Sequence, residues 1–436
     1  MHCANRSETP GTTRRRLLAA GLVAPPLALL GACGPGRTAG EESAASQRVV
    51  WWGNQVRTER TTAALNVFAA RQDGLEIVGE PGEWGGYWDK LATQVAARTP
   101  PDVVQMDEKY LLEYVERGAL ANLTELGFDV GGFDEGAAEV GEVDGSLFAV
   151  NAGTIAPVVM ANPAVFELAG MELPDDTTWT WDEMIALGAE LSAKLPEGSF
   201  GLTDPSGRDA AFRVWVRQSG AETFDDTGLG FDADVATAFF ALAQEAMEAG
   251  ATPTAELSVE DVSAPVDQRL FATGRTALAI YSSNQVTAFD DATGQSVELL
   301  RLPSLAGAAA EAQLAHQASM YWVVMADGTA PELSRDLVDF LVNDPEAGRI
   351  TGTERGVPAN TAVRAAIEEQ LTPSDRKAVE YLAATASEQG PPPPLTPQGA
   401  SSFEDVLIRW GQDVLAGRST PAEAGQGLVD EISGGL

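Results

Sequence analysis

The chain has 436 residues, room for two domains of ordinary size, and 44% of them are hydrophobic, enough to bury a large core. Its 28 Lys+Arg stand against 64 Asp+Glu, which excludes a nucleic-acid binder with its clustered cations and disfavours broad adhesion to anionic lipid. Both cysteines, Cys3 and Cys33, lie near the N-terminus and His316 is the only histidine beyond His2, so the body offers no disulfide, no thiol chemistry, no metal site of His/Cys ligands and no cofactor motif.

Residues 1–32 read as an address. Arg14, Arg15 and Arg16 precede an apolar run over 17–30 that Pro25 and Pro26 interrupt. The run is too short to span a bilayer, and the layout is that of a secretory signal of the twin-arginine type. Leu30-Gly31-Ala32-Cys33 resembles a bacterial lipobox, which would make Cys33 the acylated first residue after cleavage. An ordinary signal with an incidental cysteine is the plainer alternative. Residues 33–47 carry no large apolar side chain and read as a flexible tether.

The body opens with a β-rich run over 48–52, RVVWW. Apolar residues at helical spacing predict a helix over 58–72, then a strand at 75–78 and a helix over 86–98. A third strand at 102–107 leads into a helix over 108–117 that Gly118 ends. Strand and helix alternate three times, the signature of a parallel sheet with right-handed crossovers and helices on both faces. Ligands of such sheets sit at the carboxyl ends of the strands. That edge carries Trp52, Asn54, Gln105 and Asp107, with Trp84 at its rim. A mere helix cap is the plainer alternative for Asp107. Of the adjacent Trp51 and Trp52 only one can face a ligand, since side chains alternate along a strand; Trp52 is the favoured one, with core packing as the alternative.

The later blocks carry a family resemblance. Pro101-Asp102-Val103, Arg117-Gly118-Ala119-Leu120 and Asn122-Leu123 are followed by Asp144-Gly145-Ser146-Leu147-Phe148 and by VVMANPAVFELAG over 158–170. Thr180-Trp181-Asp182-Glu183-Met184, itself a capping box, precedes Phe271-Ala272-Thr273-Gly274-Arg275 and finally Gly356-Val357-Pro358. In this order the motifs, spanning about residues 49–361, resemble the extracellular solute-binding proteins, family 1, of carbohydrate ABC importers, the maltodextrin-binding-protein-like type. Ala161-Asn162-Pro163 departs from the family's usual Tyr-Asn-Lys. The resemblance implies an α/β, two-lobed, periplasmic-binding-protein-like (Venus flytrap) fold with interleaved lobes and multiple hinge crossings. Lobe one would comprise 48–152 plus 296–346, and lobe two 153–295 plus 347–436. Helices are expected over 181–194, 209–219 and 234–249 in lobe two. The proline run over 390–397 reads as a stiff surface connector.

A neutral sugar has flat C–H faces that lie on aromatic rings and hydroxyls that seek charged or amide partners. Trp52, Trp84, Trp215 and Tyr281 are the candidate platforms. Asn54, Gln105, Asp107, Arg213, Ser283, Asn284, Ser319 and Arg355 are the candidate polar partners. Trp181 is assigned to packing behind its capping box, and His316 to a structural role. The expected protein is a monomeric lipoprotein, held to the outer face of the cytoplasmic membrane through Cys33. It would close on a di- or oligosaccharide and deliver it to an ABC permease, with no catalytic step. Alternatives are a binder of a peptide, polyamine or metal chelate, and a secreted glycoside hydrolase with paired carboxylates. No G-x-S-x-G and no phosphate-binding loop is present.

Overall fold

A computed structural model of the chain describes residues 45–134, 136–315 and 317–436. The twin-arginine leader, Cys33, nearly all of the tether and His316 lie outside the described residues.

The first six elements form in the expected order: β1 (Ser46–Trp52), α1 (Gln55–Ala70), β2 (Glu76–Gly82), α2 (Trp84–Ala96), β3 (Val103–Met106) and α3 (Glu108–Glu116). β1 pairs in parallel with both β2 and β3, so the strand order reverses at β1 and leaves a crevice between the ends of β1 and β3. The Tyr321–Val324 strand adds antiparallel to β3, and Val150–Asn151 closes the far edge. Alternation along β1 supplies both faces. Val49 and Trp51 pack with Leu65 and Phe68 of α1, while Val50 and Trp52 meet Tyr87 and Leu91 of α2. β1 begins at Ser46, inside the stretch expected to be tether. Gln47 is fully buried there, and its Oε1 accepts a hydrogen bond from Ser334 Oγ at 2.6 Å. A buried amide, bonded through its oxygen, thus opens the strand in a stretch expected to be tether.

The second sheet is built on Pro157–Ala161, which pairs antiparallel with Thr276–Ser282 and with Glu298–Leu300; Phe200–Leu202 lies parallel to Thr276–Ser282 at the other edge. The helices expected around it appear as Trp181–Lys194, Asp209–Gln218 and Ala233–Glu248. Thr180 and Glu183 form the capping box, and Trp181 is buried behind it.

Two expected boundaries are corrected. Glu298–Leu300 stays in the second sheet, because Leu300 reaches that sheet's core beside Val159. The return toward the first sheet runs through the short strands Leu314–Ala315 and Gln317–Ala318. Helices Pro345–Thr351 and Thr361–Ile367 remain against α1 and the Pro331–Asn343 helix, with Ala347 in the first core. The chain leaves that side only near residue 370, where Pro373–Thr385 sends Ala378 and Tyr381 into a core shared with Tyr281 and Phe289.

Three segments pass side by side where the lobes join. Thr154–Ile155 pairs antiparallel with Gln317–Ala318. Thr154 and Val357 exchange backbone hydrogen bonds of 2.7 and 3.0 Å, and Ser319 N donates to Gly153 O at 2.9 Å. A Cβ on Gly153 would lie 2.1 Å from the Arg355 carbonyl oxygen. Gly153→Ala is therefore expected to lower unfolding free energy by about 2–3 kcal/mol. Urea unfolding measures this, and an unchanged midpoint would mean that the crossing yields freely.

Candidate functional site

The crevice is built from three places in the chain: the start of α3, the first turns of the Asp209–Gln218 helix, and residues 391–404. Asp107 caps α3, accepting from Lys109 N at 3.2 Å, so the cap expected for it is present. The same side chain lines a cavity. Glu108 reaches across to the second side, where its carboxylate accepts from Thr396 N at 2.6 Å and from Thr396 Oγ1 at 2.9 Å. Arg213 is held by both oxygens of Asp209, at 3.0 and 2.8 Å, and reaches Thr396 Oγ1 at 3.5 Å. This bridge separates two cavities, both of which touch Glu108, Asp209 and Arg213. One, of about 170 Å³, has Val140, Ala210, Gln317, Tyr321, Pro392 and Leu395 on its walls. The other, of about 150 Å³, has Trp84, Asp107, Lys109, Ser401 and Glu404.

Trp84 is 41% exposed, the one large aromatic side chain turned outward among the described residues. Trp52 stands edge-on behind it with ring centroids 5.2 Å apart, and Trp88 does so at 5.5 Å. These contacts set the indole in one orientation. Lys109 Nζ lies 4.8 Å from the Trp84 ring centroid.

Burial pushes the Asp107 carboxyl up to about 6, against the pull of Lys109, and Glu108 raises it further. Loss of solvent, then the neighbouring Asp209, raises Glu404 as well. For Arg213, burial opposes the charge, but Asp209 and Glu108 outweigh it and hold the guanidinium above its ordinary value.

Of the residues expected at the site, the structure brings Trp84, Asp107 and Arg213 together on the second cavity, with Trp52 as a buried brace behind. The others go elsewhere. Gln105 is fully buried; its amide donates to Trp52 O at 3.1 Å and accepts from Arg355 Nε at 3.0 Å. Arg355 is also buried, donating to Thr61 Oγ1 at 2.8 Å with its guanidinium over the Trp322 ring. Ser319 Oγ donates to the Arg355 carbonyl at the crossing. Ser283 is buried and accepts from Ala156 N at 3.1 Å. Ser283 and Asn284 border only a crevice of about 10 Å³. Trp215 packs in the second core against Trp181 and Phe239, its indole N–H on Val235 O, and offers no face to a ligand. Tyr281 is buried against Phe289. Asn54 is exposed but caps α1, accepting from Arg57 N at 2.9 Å, and borders neither cavity.

The proline run is also corrected. Gln389–Gly390 pairs with Leu314–Ala315, and Pro392, Pro393 and Leu395 wall the first cavity rather than run over the surface. Sequence reasoning missed Glu108, Asp209, Thr396 and Glu404. The Asp209/Arg213 pair at i,i+4 was a readable signal. Thr396 and Glu404 had none, because their place depends on where the chain returns.

The raised Asp107 has a consequence for stability. The folded chain keeps this proton over a pH range where the unfolded chain has lost it, so stability falls as pH rises from about 4 to about 6 and the cost is complete at neutral pH. Asn also caps helices well. Asp107→Asn should raise the unfolding free energy by about 1–3 kcal/mol at neutral pH and leave it nearly unchanged near pH 4. Urea unfolding at both pH values checks this; equal effects at both would remove the carboxyl's charge as the cause.

Comparison with known proteins agrees with this architecture. Residues 63–377 match the family model for bacterial extracellular solute-binding proteins. Over 433 residues the chain is 21% identical to the diacetylchitobiose binding protein DasA of Streptomyces coelicolor, covering 96% of this chain and 98% of that protein. It is similar in fold to a periplasmic oligogalacturonide binding protein from Yersinia enterocolitica, solved with saturated digalacturonic acid. There the TM-score is 0.74 at 21% identity, over 89% of this chain and 97% of that one. It is also similar to an ABC substrate-binding protein from Listeria monocytogenes in complex with cycloalternan, with TM-score 0.74 at 19% identity over 90% and 99% of the two chains. Among the described residues no helix is long and apolar enough to cross a membrane, and no group of three His, Cys, Asp or Glu is placed to hold a metal ion. With two sheets, repeated crossings and a crevice between them, this chain belongs to the bacterial extracellular solute-binding protein family and is an extracytoplasmic protein of its two-lobed fold.

Proposed function

We propose that the chain is the capture subunit of a sugar ABC importer, binding a di- or oligosaccharide between its lobes and presenting it to the membrane permease. The observation that carries this reading is the exposed, braced Trp84 beside a cavity rimmed by Asp107, Glu108, Arg213 and Thr396. It joins a flat apolar face to carboxylate and hydroxyl partners, the two surfaces a sugar requires. The saccharides named for the relatives from Streptomyces, Yersinia and Listeria support the same class. Binding is a population shift toward the closed pair of lobes, and no bond in the guest is broken. In this reading lobe one takes residues 46–152 and about 319–367, and lobe two the remainder of the body. Residues 1–32 are the leader of a monomeric lipoprotein that Cys33 holds to the outer face of the cytoplasmic membrane.

Calorimetry and tryptophan fluorescence on the exported form, titrated with mono- and oligosaccharides, test the reading. At a ligand concentration of about 100 Kd the native state gains about 2.7 kcal/mol, read as a rise in Tm. Trp84→Ala should weaken binding about tenfold with the fold intact. Binding of peptides, polyamines or metal chelates in place of every sugar would overturn it. For the anchor, Cys33→Ala should release the protein from the membrane fraction into the medium; continued membrane association would remove the lipid.

A further inference from the structure

Resting on the sugar-binding reading, we propose that the pocket beside Trp84 takes a sugar carrying a free ammonium group, an amino sugar that is not N-acylated, and turns away sugars carrying a carboxylate.

The walls of that pocket hold four acids, Asp107, Glu108, Asp209 and Glu404, against Lys109 and Arg213. Of the two cations, Arg213 is not at the disposal of a guest carboxylate, and Lys109 rests against aromatic rings. Arg213 is clamped by both oxygens of Asp209. Lys109 has its ammonium 4.8 Å from the Trp84 centroid and 5.6 Å from that of Tyr110. The acids are differently placed. Glu108 is spent on Thr396 and Asp209 on Arg213. Asp107 accepts only one backbone N–H, and it feels the charge of Glu404. Loss of solvent raises the Asp107 carboxyl more than the neighbouring Lys109 ammonium lowers it, so its charge is only partly offset and a guest cation adds to that offset. Lys109 shows the chemistry in the chain itself: an ammonium resting on the face of Trp84 next to Asp107. A guest ammonium completes the arrangement with the sugar ring on the indole. A uronate brings a further negative charge among four carboxylates, with Arg213 already engaged and Lys109 the single cation left to face it.

The test is calorimetry on the exported form with four disaccharides: the β-1,4 dimer of glucosamine, its di-N-acetyl counterpart, cellobiose and digalacturonic acid. The glucosamine dimer should bind at least about tenfold tighter than either neutral disaccharide, and digalacturonic acid should give no measurable heat. The double variant Asp107→Asn, Glu404→Gln should bring the ratio of ammonium to neutral affinity within about threefold. Should that variant fail to fold, Glu404→Gln alone shifts the ratio the same way. Lys109→Gln, which removes the internal ammonium, should widen it. Neutral disaccharides binding as tightly as the amine, a digalacturonate complex, or a ratio that none of these variants moves would overturn the inference and leave sugar capture standing. Binding of no sugar in the wider titration would overturn both.

Discussion

Everything else in the molecule depends on how closely three stretches of backbone pass at the lobe junction. Gly153 leaves no room for a side chain against the Arg355 carbonyl. Thr154, Val357 and Ser319 lock the three strands with backbone hydrogen bonds. From that point a buried polar chain runs into the first lobe. Arg355 bonds Gln105, Gln105 bonds the carbonyl of Trp52, and Arg57 bonds that same carbonyl while pairing with Glu354. Burial pushes the Arg355 guanidinium down from its ordinary value and Glu354 partly restores it. Removing one partner from such a buried charge costs about 3–5 kcal/mol, so the chain holds its geometry. The junction is thereby tied rigidly to the strand end that carries Trp52, and Trp52 in turn sets the tilt of Trp84.

The same network explains why several polar residues at strand ends are not ligand contacts. Position alone placed Gln105 and Arg355 beside the cleft, and neither borders either cavity. A junction of crossing strands exposes backbone carbonyls that need donors, and a buried amide or guanidinium is what satisfies them. Gln105 is consumed by Trp52 and Arg355 before any guest arrives. Periodicity made β1 to α3 and the three helices around the second sheet legible, since each depends on neighbours within one turn or one strand. It said nothing of which sheet Glu298–Leu300 would join, because a short apolar run is equally at home in either. Nor did it show that Pro345–Thr351 and Thr361–Ile367 would stay on α1. The half of the site contributed by residues 391–404 was illegible for the same reason. A proline run has no face, and only the pairing of Gln389–Gly390 with Leu314–Ala315 turns it toward the cleft.

The bridge from Glu108 to Thr396 bears on how large the guest must be. Two hydrogen bonds to a carboxylate are worth about 1.5–3 kcal/mol each, net. A sugar hydroxyl that takes over the donation from Thr396 Oγ1 therefore replaces a bond of equal kind and contributes little by that exchange. The differential must come from surface. Moving two states from 1:99 to 99:1 takes about 5.5 kcal/mol, which at roughly 25 cal/mol per Å² corresponds to about 220 Å² of apolar area removed from water. A fully buried aromatic side chain accounts for about 150–250 Å², and Trp84 has only 41% of its surface left to cover. One ring stacked there falls short. The remainder has to be found across the bridge, on the half-buried Pro392 and Leu395 of the first cavity. A guest that closes these lobes thus extends from one cavity into the other past Glu108 and Arg213, which a single sugar ring on Trp84 does not do.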